Sequence, residues 1–128
     1  MIKVLLYISF IGNLAFSRGD VMSSNIYDIN FKNILGEEIS FKEFSGKKIL
    51  VVNVASYCGF TRQYKDLQKL QDSYSDKLQV IAFPCNDFGS QEPGNNSQIA
   101  QFCESNYDIK FPVMSKINIR KKTNSPNL

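Results

Sequence analysis

The stretch Gly46-Lys47-Lys48-Ile49-Leu50-Val51-Val52-Asn53-Val54-Ala55-Ser56-Tyr57-Cys58-Gly59-Phe60-Thr61 decides the fold. Residues 49–55 are apolar almost throughout, as a strand covered on both faces requires. Ser56 to Gly59 break that run, and from Arg62 onward the apolar residues take up helical spacing. Strand, turn and helix in immediate succession put Cys58 at the carboxyl end of a buried strand, just before a helix begins. A thiol at that junction meets unpaired backbone N–H groups and the positive end of the helix dipole, both of which favour the thiolate. The thiolate is the nucleophilic form, so Cys58 is the candidate reactive residue. Gly59 permits a tight turn beside it, and Thr61 is placed to cap the helix.

Upstream, Ile26, Ile29 and Phe31 lead into a turn at 33–37, followed by Ile39 and Phe41, which predicts a small N-terminal hairpin. Downstream, Tyr64, Leu67, Leu70 and Tyr74 recur at spacings of three and four and predict one apolar stripe on a helix of about fifteen residues. Residues 78–83 read as a second buried strand. After a Pro/Gly/Asn loop at 84–96, Ser97 is predicted to cap a short helix carrying Ile99, Phe102 and Cys103 on one face. Residues 113–119 are predicted as a third strand, and the chain then turns polar. The order implies the α/β class, a parallel core with reactive groups at the carboxyl ends of its strands.

With 128 residues, 43% of them apolar and 21% charged, the chain has material for one modest core. The net charge of +3 and the single basic cluster Arg120-Lys121-Lys122, free of interleaved aromatics, argue against nucleic-acid binding. Three cysteines spaced 27 and 18 apart, with no histidine, argue against a metal site and exclude a Cys–His hydrolase. A local dithiol is excluded as well, because Thr61 stands three residues after Cys58. Residues 1–17 read as a signal peptide, with basic Lys3, a largely apolar run at 4–16 and small residues around Ser17. Residues 18–24 then form a linker and 25–128 the domain, of an exported protein that is periplasmic or secreted and not stably inserted in a membrane after cleavage. The residues alone leave plain roles open: Cys85 and Cys103 as packed core thiols, Gln91 as a loop anchor and Asp87 as a turn residue.

Two stretches carry a family resemblance. Asn53-Val54-Ala55-Ser56-Tyr57-Cys58-Gly59-Phe60-Thr61 resembles the segment that presents the peroxidatic residue in the glutathione peroxidase family. Ile81-Ala82-Phe83-Pro84-Cys85-Asn86-Asp87-Phe88-Gly89-Ser90-Gln91-Glu92-Pro93-Gly94 resembles a second family segment, departing at Asp87, where the family usually has Gln. The resemblance implies a thioredoxin-like fold and no prosthetic cofactor. It also implies a thiol peroxidase acting on hydrogen peroxide and organic or lipid hydroperoxides in oxidative-stress defence. Cys58 is then the nucleophile, and Gln91 the glutamine of the catalytic tetrad. Cys103, in Gln101-Phe102-Cys103, is the matching resolving residue of cysteine-containing members that draw on thioredoxin, with glutathione the other reductant the family uses. The family's C-terminal strand hairpin, final helix and Trp-Asn pair have no counterpart, and the chain has no Trp. A C-terminally incomplete sheet with an unpaired edge is therefore expected, and the alternative reading is an inactive truncated fragment keeping part of the fold.

Overall fold

The computed structural model describes residues 25–120, so the expected signal peptide, the linker and the Lys121-Lys122 end lie outside the described residues. The decisive apolar run forms β3 (Lys48–Val54), preceded by the short strands β1 (Asn30–Lys32) and β2 (Glu38–Ser40). It is followed by a 3-10 turn at Thr61–Gln63, the helix α1 (Tyr64–Ser73), the strand β4 (Leu78–Pro84) and the helix α2 (Asn96–Tyr107). β3 and β4 pair in parallel, from Lys48 opposite Leu78 to Val54 opposite Pro84.

Strand alternation divides the core between the two faces of this pair. Val52, Val54, Val80 and Ala82 pack with Tyr64 of α1 and with Ile99 and Cys103 of α2. Ile81, supported by Ile49, Val51 and Phe83, packs on the other face against Phe41, Phe31 and Met114. The N-terminal hairpin thus covers one face and the helices the other, which leaves Val80, Ile81 and Ala82 without solvent exposure. The predicted hairpin turn at 33–37 is closed by Asn33, whose side-chain oxygen accepts the Leu35 and Glu37 N–H groups, and by Gly36 at φ +87°.

Three details of the sequence reading change. The apolar stripe on α1 ends before Tyr74, which is 53% exposed, while Gln68 and Gln71 are buried. Gln71 acts as a peptide substitute at the edge of β4: its Nε2 donates to Leu78 O at 3.0 Å and its Oε1 accepts Val80 N–H at 2.7 Å. Gln68 Oε1 accepts Lys110 N–H in the same way. The cap of α2 is Asn95 rather than Ser97, in a reciprocal box where Asn95 Oδ1 accepts Gln98 N–H and Gln98 Oε1 accepts Asn95 N–H. Asn95 has the extended backbone a cap needs, whereas Ser97 already lies inside the helix.

The predicted strand at 113–119 is broken into isolated bridges, Val113 and Ile117 beside β4 and Met114 beside Asn33. Its donors serve different neighbours in turn: Met114 N–H reaches Ala82 O, Ser115 N–H reaches Lys32 O, Lys116 N–H reaches Asn96 Oδ1, and Ile117 N–H reaches Pro84 O. A segment whose donors change direction at each residue cannot build one ladder. Among the described residues, β3 pairs as a strand with β4 alone.

Candidate active site

β3 stops at Val54, and Ala55 and Ser56 stay buried before Tyr57 turns outward at 69% exposure. Cys58 follows, half-buried. Its turn is held by Thr61, which is itself buried: Cys58 N–H donates to Thr61 Oγ1 at 3.0 Å, and that hydroxyl lies 2.8 Å from Ala55 O and 2.7 Å from Cys58 O. Thr61 therefore clamps the turn instead of capping the helix, and Phe60, the residue at the cap, makes no side-chain capping bond. Phe60 N–H donates to Cys58 Sγ at 3.4 Å. Burial raises the thiol's pKa, while this N–H lowers it by favouring the thiolate.

Gln91 is brought to the same place by a tight turn in which Gly89 and Ser90 both adopt positive φ, +72° and +54°. Tyr57 N–H donates to Gln91 O at 3.0 Å, so the main chains on either side of the thiol are tied together. Cys58 and Gln91 line one small cleft with Asn53, Cys85 and Phe88. Asp87 does more than make a turn, since its Oδ2 accepts the N–H groups of Arg120 and Ile119, at 2.8 and 2.5 Å. Those donors hold its carboxyl below the usual range. Arg120 also stacks its guanidinium over Phe88, 5.4 Å from the ring centre.

Cys103 is placed differently. It is buried on α2 among Val54, Tyr64 and Ile99, and burial pushes its thiol pKa up. Its packing on the Ile99 face is as the helical spacing predicts, and the cysteine that shares the Cys58 cleft is Cys85, read from sequence as filler. No disulfide joins Cys58, Cys85 and Cys103 in any pairing.

The glutathione peroxidase family profile matches residues 26–127. The chain belongs to the glutathione peroxidase family. A glutathione peroxidase-like peroxiredoxin of Saccharomyces cerevisiae is 48% identical over 99 residues, covering 77% of this chain and 61% of the relative. Another, from Schizosaccharomyces pombe, is 50% identical over 97 residues, covering 75% and 61%. The crystal structure of Trgpx in apo form superimposes with a TM-score of 0.56 at 34% identity, covering 81% of this chain and 61% of that one. The fold is thioredoxin-like, and the chain spans about three-fifths of the length of these family members.

Behind the motif of this family member lies a polar cluster that the sequence reading missed. Glu92 has no solvent exposure; its Oε2 accepts Ser56 N–H at 2.9 Å, while its Oε1 has no hydrogen-bond partner. Ser56 Oγ, beside this carboxylate, and Tyr64 Oη, beside the Cys103 thiol, are likewise buried and make no well-aligned hydrogen bond. A cavity of about 290 Å³ opens here, between Ser56 and Tyr57 on one side and Gln98, Ile99 and Phe102 of α2 on the other, with Glu92 in its wall. Burial pushes the Glu92 pKa up, against the opposing pull of the Ser56 contacts and the Lys116 ammonium. Nothing in the local pattern announces a buried carboxylate, because Glu92 sits in a polar loop between Gln91 and Pro93. Among the described residues no group of three or more cysteine and acidic side chains is placed to hold a metal ion.

Proposed function

We propose that this chain supplies the thiol-peroxidase centre of a hydroperoxide-reducing enzyme, with Cys58 as the peroxidatic residue. The observation that carries the reading is the shared cleft of Cys58 and Gln91, with the Phe60 N–H directed at Sγ. A Cys58 thiolate attacks the terminal oxygen of ROOH, the O–O bond breaks, ROH leaves after protonation, and the sulfur becomes a sulfenic acid. Gln91, lining the cleft, is suited to donate an amide hydrogen to the sulfur or the departing oxygen. Cys103 then resolves the sulfenic acid as a disulfide that thioredoxin reduces, glutathione being the alternative reductant. Residues 1–17 direct export in this proposal, and a mature N-terminus at Arg18 in secreted material tests that part.

Because Cys103 starts packed on α2, bridging requires movement of that helix, a local opening accessible to a short element. Mass spectrometry after one equivalent of hydrogen peroxide tests the scheme. A Cys58–Cys103 cross-link, lost together with all peroxide consumption in Cys58→Ser, is expected. A cross-link to Cys85, or a glutathione adduct on Cys58 with Cys103 free, would reject the resolving role. Absence of peroxide consumption by the wild-type chain would favour the inactive-fragment reading.

A further inference from the structure

We infer that Glu92 is the proton acceptor for Cys103 in the resolving step, an inference that rests on the proposed roles of Cys58 and Cys103. The problem it solves is chemical. A packed thiol whose pKa is raised by burial is a poor nucleophile, and the chain has no histidine to deprotonate it.

The fold sets one carboxylate beside the relevant helix turn. Gly94 lies against the first turn of α2 so closely that a Cβ there would meet Gln98 Cβ at 3.4 Å and Ile99 Cγ1 at 3.7 Å. Cys103 is one turn beyond Ile99, on the same face, and side chains on a helix lean toward its N-terminus. The thiol therefore leans toward the turn of α2 that meets Gly94. Glu92 is wholly buried there, with Oε1 unpartnered, and the hydroxyl of Tyr64, which packs with Cys103, faces the thiol. A stranded buried acceptor costs about 1–3 kcal/mol, so keeping the Glu92 oxygen there calls for a compensating role. Electrostatic influence of Glu92 reaches both Cys103 and Tyr64. The remaining groups facing the carboxylate are the Ser56 N–H and hydroxyl and the Lys116 ammonium, whose Nζ donates to Gly94 O at 2.6 Å and to Glu92 O at 3.4 Å.

While α2 is still packed the Cys103 S–H proton passes to Glu92 Oε1, and once the helix opens the sulfur's electron pair forms the bond to Cys58 Sγ. The S–O bond of the sulfenic acid breaks, and the departing hydroxide takes the proton from Glu92 and leaves as water. Cys103 is oxidised and the sulfenic sulfur reduced, with no further reactant. Glu92 must be ionised at the start, so the rate should rise with pH as the Glu92 carboxyl ionises.

The test follows one turnover of the full chain with hydrogen peroxide, reading peroxide loss and, by quenched mass spectrometry, the Cys58–Cys103 bond. In Glu92→Gln, which keeps an acceptor for Ser56 N–H, bond formation should fall at least about tenfold relative to peroxide loss and recover only at alkaline pH, where hydroxide replaces the carboxylate. An unchanged rate and pH profile in that variant would overturn the inference while leaving the peroxidase reading intact. A wild-type bond-forming rate that rises only in the alkaline range of a free thiol would overturn it without any variant. Failure of the wild type to consume peroxide, or to form this bond at all, would instead overturn the reading on which the inference depends, and the inference with it.

Discussion

Cys58 is made accessible by one neighbour, Thr61, whose hydroxyl accepts the Cys58 N–H and lies within bonding distance of the Ala55 and Cys58 carbonyls. Thr61→Val keeps the shape and removes these bonds, leaving a buried N–H and carbonyl without partners. We expect a loss of about 1–3 kcal/mol in stability, together with slower peroxide consumption, and Thr61→Ser should restore both. Chemical denaturation and stopped-flow peroxide assays check this, and equal damage in the serine variant would contradict the account. The sequence pattern made Cys58, and the strand end that carries it, legible because apolar run and helical spacing change at that point. The partner chosen by the Thr61 hydroxyl was not legible, since capping and turn closure use the same residue types and only the turn geometry distinguishes them.

At the scale of elements, β3, β4 and the Ile99–Cys103 face of α2 follow from apolar periodicity, which reports burial by apolar contact. The same signal fails where burial is achieved by hydrogen bonding. Gln71 was invisible to it, although its amide completes the edge of β4 where the broken segment 112–117 does not reach. Replacing Gln71 by Leu retains bulk but strands Leu78 O and Val80 N–H, and we expect a cost of at least about 2 kcal/mol. Lys69→Ala, on the exposed side of α1, should stay within about 0.5 kcal/mol. Urea titrations with an unchanged slope check both, and a harmless Gln71→Leu would show that solvent satisfies this edge.

At the scale of the whole molecule, two carboxylates respond to pH with opposite sign. The Asp87 carboxyl is lowered by the Arg120 and Ile119 N–H groups, so its contribution is present above its unfolded value, near 3.9, and is lost as pH falls through its folded value. Glu92 is raised by burial, so the folded state favours its neutral form. That contribution is fully present below the unfolded value, near 4.3, and is lost as pH rises through the folded value. Glu92→Gln cannot ionise and keeps the acceptor for Ser56 N–H. Its Tm should therefore match the wild type in acid and exceed it increasingly as pH rises, until Glu92 is fully ionised. Asp87→Asn should show the reverse, matching the wild type only at the most acid pH and falling below it as the wild-type carboxylate ionises. Parallel melting curves between about pH 3 and pH 8 separate the two effects. A Glu92→Gln difference that stayed constant across that range would mean the carboxylate is not held toward its neutral form, and would remove the physical ground for treating it as a base poised beside Cys103.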